Sequence, residues 1–135
     1  MTSQAKGSTL TIAFVDARGG ALSALAAGVA KALGVNATAA TTSTPVPLPA
    51  EITTVLEEIG MGAPVAAAAP WGEAPREAGA TIVFLGAEPP PELAGKTTWE
   101  IALFGGAGEL EQLAHARIAR DTVERKLEAM KSASR

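Results

Sequence analysis

No cysteine occurs among the 135 residues. A disulfide framework, a thiolate metal site and thiol catalysis are therefore excluded. Histidine is nearly absent too: His115 is the one copy. Alone, and without a cysteine beside it, it makes no case for a metal site or a catalytic triad. Aromatic residues make up 4% of the chain. Much of the apolar content is alanine, which buries little area. A core must then rest on Leu, Ile, Val, Phe and the two tryptophans. Where aromatics are this scarce, Trp71, Trp99 and Phe104 stand out as candidate interface anchors, with core or rim packing as the plainer role. There is no excess of positive charge. The net charge is −3 at pH 7, which argues against nucleic acid or an anionic membrane as partner. No apolar run approaches the ~20 residues of a membrane span. The opening MTSQAKGSTL is not a signal peptide. The expectation is a soluble, cytoplasmic protein.

What is present is organised around Thr9 to Leu33. The apolar run Leu10 to Val15 reads as a buried strand. A tight polar loop, Asp16-Ala17-Arg18-Gly19-Gly20, follows it. Leu22, Leu25, Ala26, Val29 and Leu33 then recur at helical spacing. Strand, glycine loop, helix is how an α/β sheet offers backbone N–H groups to an anion at its carboxyl edge.

Further along, Gly34 suits a helix end and Val35 to Ala40 a second strand. Thr41 to Pro47 is a loop. Pro49 to Gly60 reads as a helix with an inner stripe of Ile52, Val55, Leu56 and Ile59, which leaves Glu57 and Glu58 to solvent. Val65 to Ala68 is a candidate short strand, and Trp71 to Ala78 a candidate helix broken by Pro75. Thr81 to Leu85 is a continuous apolar run that fits a central strand, and Thr98 to Leu103 a last strand. Gly105-Gly106-Ala107-Gly108 lacks the Lys-Ser/Thr of a P-loop and the spaced acid of a dinucleotide fingerprint, so it reads as a connector and no cofactor is expected. A charged helix from Glu109 to Met130 closes the chain. Its inner stripe is Leu113, Ala116, Val123, Leu127 and Met130, with Ile118 and His115 off it and its charges in ordinary i,i+4 pairs. The spacing predicts a short tail, residues 1–8, and one three-layer α/β/α domain, residues 9–135. Its sheet is four-stranded and mostly parallel, in the order 2-1-3-4, with helices on both faces.

At the first loop the chain resembles the low-molecular-weight protein tyrosine phosphatase and thioredoxin-coupled arsenate reductase family. That family opens with an apolar strand, a Cys, five loop residues, an Arg and a Ser or Thr before an Ala-rich helix. Laid on that pattern, Asp16 takes the place of the nucleophilic Cys. Ala17, Arg18, Gly19, Gly20 and Ala21 are the loop. Leu22 takes the place of the Arg, and Ser23 matches the Ser. Thr42-Ser43-Thr44-Pro45 with the helix to Gly60 is similar to the family's next segment. Ala80 to Leu85 is similar to its central strand, and Trp99 to the tryptophan that often precedes its Asp-Pro loop. Arg120-Asp121-Thr122-Val123 is similar to the Arg-Asp-x-Ile of its last helix.

The departures fall on the chemistry. Asp16 is a poor nucleophile, and its charge opposes a phosphate. Leu22 cannot clamp an oxyanion as an Arg does. Ile101 to Phe104 stands where the Asp-Pro acid would lie. The resemblance thus implies a catalytically inactive relative, kept as a binding, regulatory or accessory subunit whose partner is another protein or a second copy. Two alternatives remain. One is phosphoryl transfer with Asp16 as nucleophile. The other is a sensor holding a small anion or nucleotide on the Gly19-Gly20-Ala21 amides, with Arg18 supplying charge. The plainer role for Asp16 is to cap the loop by accepting N–H bonds, or to pair with Arg18.

Overall fold

The computed structural model describes residues 11–61, 67–73, 79–101 and 108–133. Five strands form the sheet: β1 (Thr11–Asp16), β2 (Asn36–Thr41), β3 (Ala69–Pro70), β4 (Thr81–Leu85) and β5 (Thr97–Trp99). The helices are α1 (Ala21–Ala32), α2 (Ala50–Glu57) and α3 (Glu109–Ala133), with short 3-10 turns at Trp71–Glu73 and Pro91–Leu93.

The sheet order is β3-β2-β1-β4-β5, and every described pairing is parallel. The four strands expected from the sequence keep their expected relative order. The fifth, β3, extends the β2 edge through Ala40 opposite Ala69 and Thr41 opposite Pro70. It lies just after the expected Val65 to Ala68, most of which falls outside the described residues. Pro70 lacks an N–H, which an edge strand tolerates. The last strand stops at Trp99 where Leu103 was expected; residues 102–107, Phe104 and the glycine connector among them, lie outside the described residues, as do the expected tail and residues 74–78. Only a 3-10 turn at Trp71–Glu73 is described of the expected helix beginning at Trp71.

Period-two alternation assigns the two faces. On one side Ile12, Phe14, Val83 and Leu85 meet Leu25, Val29, Ile52, Val55, Leu56, Val123 and Leu127, so all three α-helices share a single core. On the other, Val15, Ala40 and Phe84 meet Leu93, with Trp71 and Ile82 packed against them. The third layer is therefore built, among the described residues, from the 3-10 turns, and not from an α-helix as expected. β1, at the centre, is covered on both faces, which is why its sequence shows no polar alternation. α1 lies close against α2, for Gly28 faces Leu56 at a distance that leaves no room for a Cβ. Gly34, at φ 81°, ends α1 as expected.

Candidate functional site

Asp16 is the last residue of β1, held between Thr41 of β2 and Leu85 of β4 at the carboxyl edge of the sheet. Its main-chain carbonyl accepts a bond from Thr42 N–H at 2.8 Å, which ties the next loop to it. The chain then turns through Gly19 (φ 90°) and Gly20 (φ 101°), both left-handed. Glycine is required at each. A Cβ on Gly20 would lie 2.5 Å from the Ala68 Cβ, and one on Gly19 would lie 2.8 Å from Val46 Cγ2.

This turn aims the loop's N–H groups inward, onto the Asp16 carboxylate. Oδ1 accepts from Arg18 N–H at 2.9 Å and from Gly20 N–H at 3.0 Å, while Oδ2 accepts from Ser23 N–H at 2.9 Å. Gly19 N–H points elsewhere, to Ser43 Oγ at 2.7 Å and Thr41 Oγ1 at 3.3 Å. Ser23 Oγ donates to Gly20 O, 3.2 Å away. Asp16 is only 1% exposed. A carboxylate that deep survives because three N–H donors and the positive end of α1 compensate its charge. The first turn of α1 carries no acidic residue of its own, so Asp16 caps the helix from outside it. Among the described residues no buried side-chain nitrogen or oxygen lacks a partner.

Within the segment Asp16 to Ser23, the N–H groups of Arg18, Gly20 and Ser23 thus close on a carboxylate of the same segment. The capping role is the one the geometry realises. Arg18 reaches the carboxylate through its backbone N–H, and the residue itself is exposed. Ala17 is exposed beside it, and Ala21 is half-buried. Leu22 is buried in the helix-side core; it offers the corner no charge.

The tryptophans part company. Trp99 is 7% exposed, packed in the core with its ring 5.7 Å from that of Phe14 and the Lys126 ammonium 5.9 Å from its centroid. Trp71 is half-buried on the opposite face of the sheet. His115 is also half-buried. No group of three or more His, Cys, Asp or Glu that could hold a metal ion occurs among the described residues. No helix among them is long and apolar enough to cross a membrane.

A second polar cluster escaped the sequence reading. Glu58, exposed as expected, also receives Arg117 Nη2 at 2.6 Å and Nε at 3.0 Å, and Arg120 Nη1 at 2.6 Å. Arg120 also donates to the Val55 carbonyl at 3.0 Å and to Asp121 at 3.0 Å. Bonds from Arg117, then Arg120, hold the Glu58 carboxyl down to about 2, from an ordinary 4.5. Both arginines thus reach across to Glu58, just past α2, in place of the expected i,i+4 pairing, and Arg120 also pairs with Asp121 beside it on α3. Two arginines a turn apart on α3, with a glutamate just past α2, were the available signal. Only the packing of α2 on α3 could turn it into a contact.

No family model matches this chain, and no curated protein matches it. Solved structures do. The fold is shared with one described as an arsenate reductase in the phosphate binding state, at a TM-score of 0.70 and 19% identity, over 94% of this chain and 100% of that one. A second, described as an arsenate reductase in reduced state, aligns at a TM-score of 0.51 and 20% identity, over 93% of this chain and 98% of that one. At such identities the likeness establishes the fold. This is an arsenate-reductase-like α/β fold.

Proposed function

We propose that this protein is a catalytically inactive member of the phosphatase and arsenate-reductase fold, acting as a binding, regulatory or accessory subunit of a protein assembly. One observation carries the reading: the N–H groups of Arg18, Gly20 and Ser23 are already bonded to the Asp16 carboxylate. Those are the donors an incoming oxyanion would need. The clamp position supports the same reading, because Leu22 is committed to the core. Phosphoryl transfer through Asp16 would need a carboxylate oxygen free to attack phosphorus, yet both oxygens accept N–H bonds at 1% exposure. An anion sensor would need free amides at the same place.

The direct test is turnover of an aryl phosphate and of arsenate with a thiol reductant. No rate above buffer is expected from the wild-type chain. Turnover lost on Asp16→Asn would overturn the proposal. A thermal shift with phosphate, sulfate or nucleotide would favour the sensor instead. The accessory role is tested by co-purification from the native host, where a strictly monomeric chain without a reproducible partner counts against it.

A further inference from the structure

The outward side of α3 leaves apolar side chains open to solvent. Ile118 is 64% exposed and Leu110 82%, two of the large apolar side chains left open to solvent among the described residues. Around Ile118 the same side carries Ala114 and Thr122 four residues away, and His115 and the exposed Asp121 three residues away; an antiparallel second copy would set His115 opposite Asp121. Thr122 donates its hydroxyl to the Ile118 carbonyl at 2.8 Å, so the polar atom is turned back onto its own helix. The opposite side, with Ala116, Val123 and Leu127, is the one committed to the core.

Charge placement then selects the occupant. Glu111 stands one heptad before Ile118 and Arg125 one heptad after it, both on the exposed side. Arg125 is held over this face by its Nη2, 3.4 Å from Thr122 Oγ1. If a second α3 crosses antiparallel with the two Ile118 residues in contact, Glu111 of each chain falls opposite Arg125 of the other. Ala114 and Thr122 also fall opposite one another. This is the self-complementary pattern a two-fold interface requires.

We infer that the protein associates with a second copy of itself through an antiparallel α3–α3 contact centred on Ile118. α3 has 25 residues and so spans about 37 Å, enough for several turns of contact. One helix pair lies at the small end of specific interfaces, below about 1,200 Å². The dimer is accordingly weak, filling at micromolar to millimolar concentration. The inference does not rest on the proposed function, since an active enzyme could pair in the same way.

Sedimentation equilibrium across that concentration range tests it. The wild-type chain is expected to move from the chain mass toward twice that mass, and Ile118→Glu to stay at the chain mass with an unchanged circular dichroism melt. Glu111→Arg alone should weaken the dimer by tenfold or so, a factor worth about 1.4 kcal/mol. Combined with Arg125→Glu it should regain wild-type association, because the swap restores each pair. A wild-type chain that stays monomeric to its solubility limit overturns the inference. So does a dimer indifferent to Ile118→Glu, or a double swap without recovery.

Discussion

At the scale of single residues, Asp16 sets both the shape of the loop and what the loop can do. Asp16→Ala strips three N–H groups of their acceptor, at about 1–3 kcal/mol for each group left unsatisfied. Water can enter the vacated space, so the net loss we expect in urea unfolding is about 3 kcal/mol. The same variant exposes the amides to solutes. Phosphate should then bind where the carboxylate was and return about 2.7 kcal/mol at roughly 100 times its dissociation constant. Asp16→Asn is the control: its amide still fills the corner, so it should lose stability without gaining a phosphate response. An Asp16→Ala chain as stable as wild type, or blind to phosphate, would mean that the three bonds are incidental. This corner was largely legible in the sequence. Two adjacent glycines after an apolar strand require a left-handed turn, and an aspartate before them is a natural acceptor. What could not be read was the division of the amides, because Gly19 N–H turns to Ser43 and Thr41, distant in the chain.

At the scale of elements, α3 fastens the ends of the other two helices. Arg120 donates to Val55 O near the end of α2, and Lys131 Nζ to Leu33 O at the end of α1, 3.1 Å away. Both are cations at the negative ends of helix dipoles. The Glu58 cluster adds a pH dependence whose sign is fixed. The Glu58 carboxyl titrates at about 2 when folded and near 4.5 when free. Its contribution is complete above the free value and disappears as pH falls from there toward 2. Glu58→Gln should therefore flatten the fall in Tm between pH 5 and pH 2, which thermal melts in matched salt would measure. Equal acid sensitivity in both chains would remove Glu58 from that account. Where α1 crosses α2, Gly28→Ala sets two effects against each other. A mid-helix alanine gains about 1 kcal/mol over glycine, while overpacking costs about 1–3 kcal/mol. The added Cβ would stand 2.6 Å from Leu56 Cδ1, and Leu56 is fully buried, so it cannot swing away. Net destabilisation of about 1 kcal/mol is expected; a more stable variant would show that α2 can shift. None of this was open to inspection of α2 or α3 alone, because amphipathic stripes say which side is inward but not which helix lies there.

At the scale of the whole molecule, the order of the main strands followed from the sequence, and their coverage did not. Right-handed β-α-β connections and the apolar runs of β1 and β4 leave few topologies. Which face each helix takes depends on the length and path of the links, and here all three α-helices gather over Ile12, Phe14, Val83 and Leu85. That arrangement bears on unfolding. Trp99 sits in the helix-side core beneath Lys126 of α3, whereas Trp71 belongs to the thinner opposite layer. Because α3 touches Trp99 and also holds the ends of α1 and α2, its release should empty the core at once. In a Trp71→Phe chain, fluorescence reports Trp99 alone, while far-ultraviolet circular dichroism follows all three helices. The two urea transitions should coincide, with one midpoint and a slope of about 1–3 kcal/mol/M. A fluorescence change that precedes the loss of helix would mean that α3 lifts from the sheet by itself. In that case the links from Arg120 and Lys131 would not bind the helical layer into one cooperative unit.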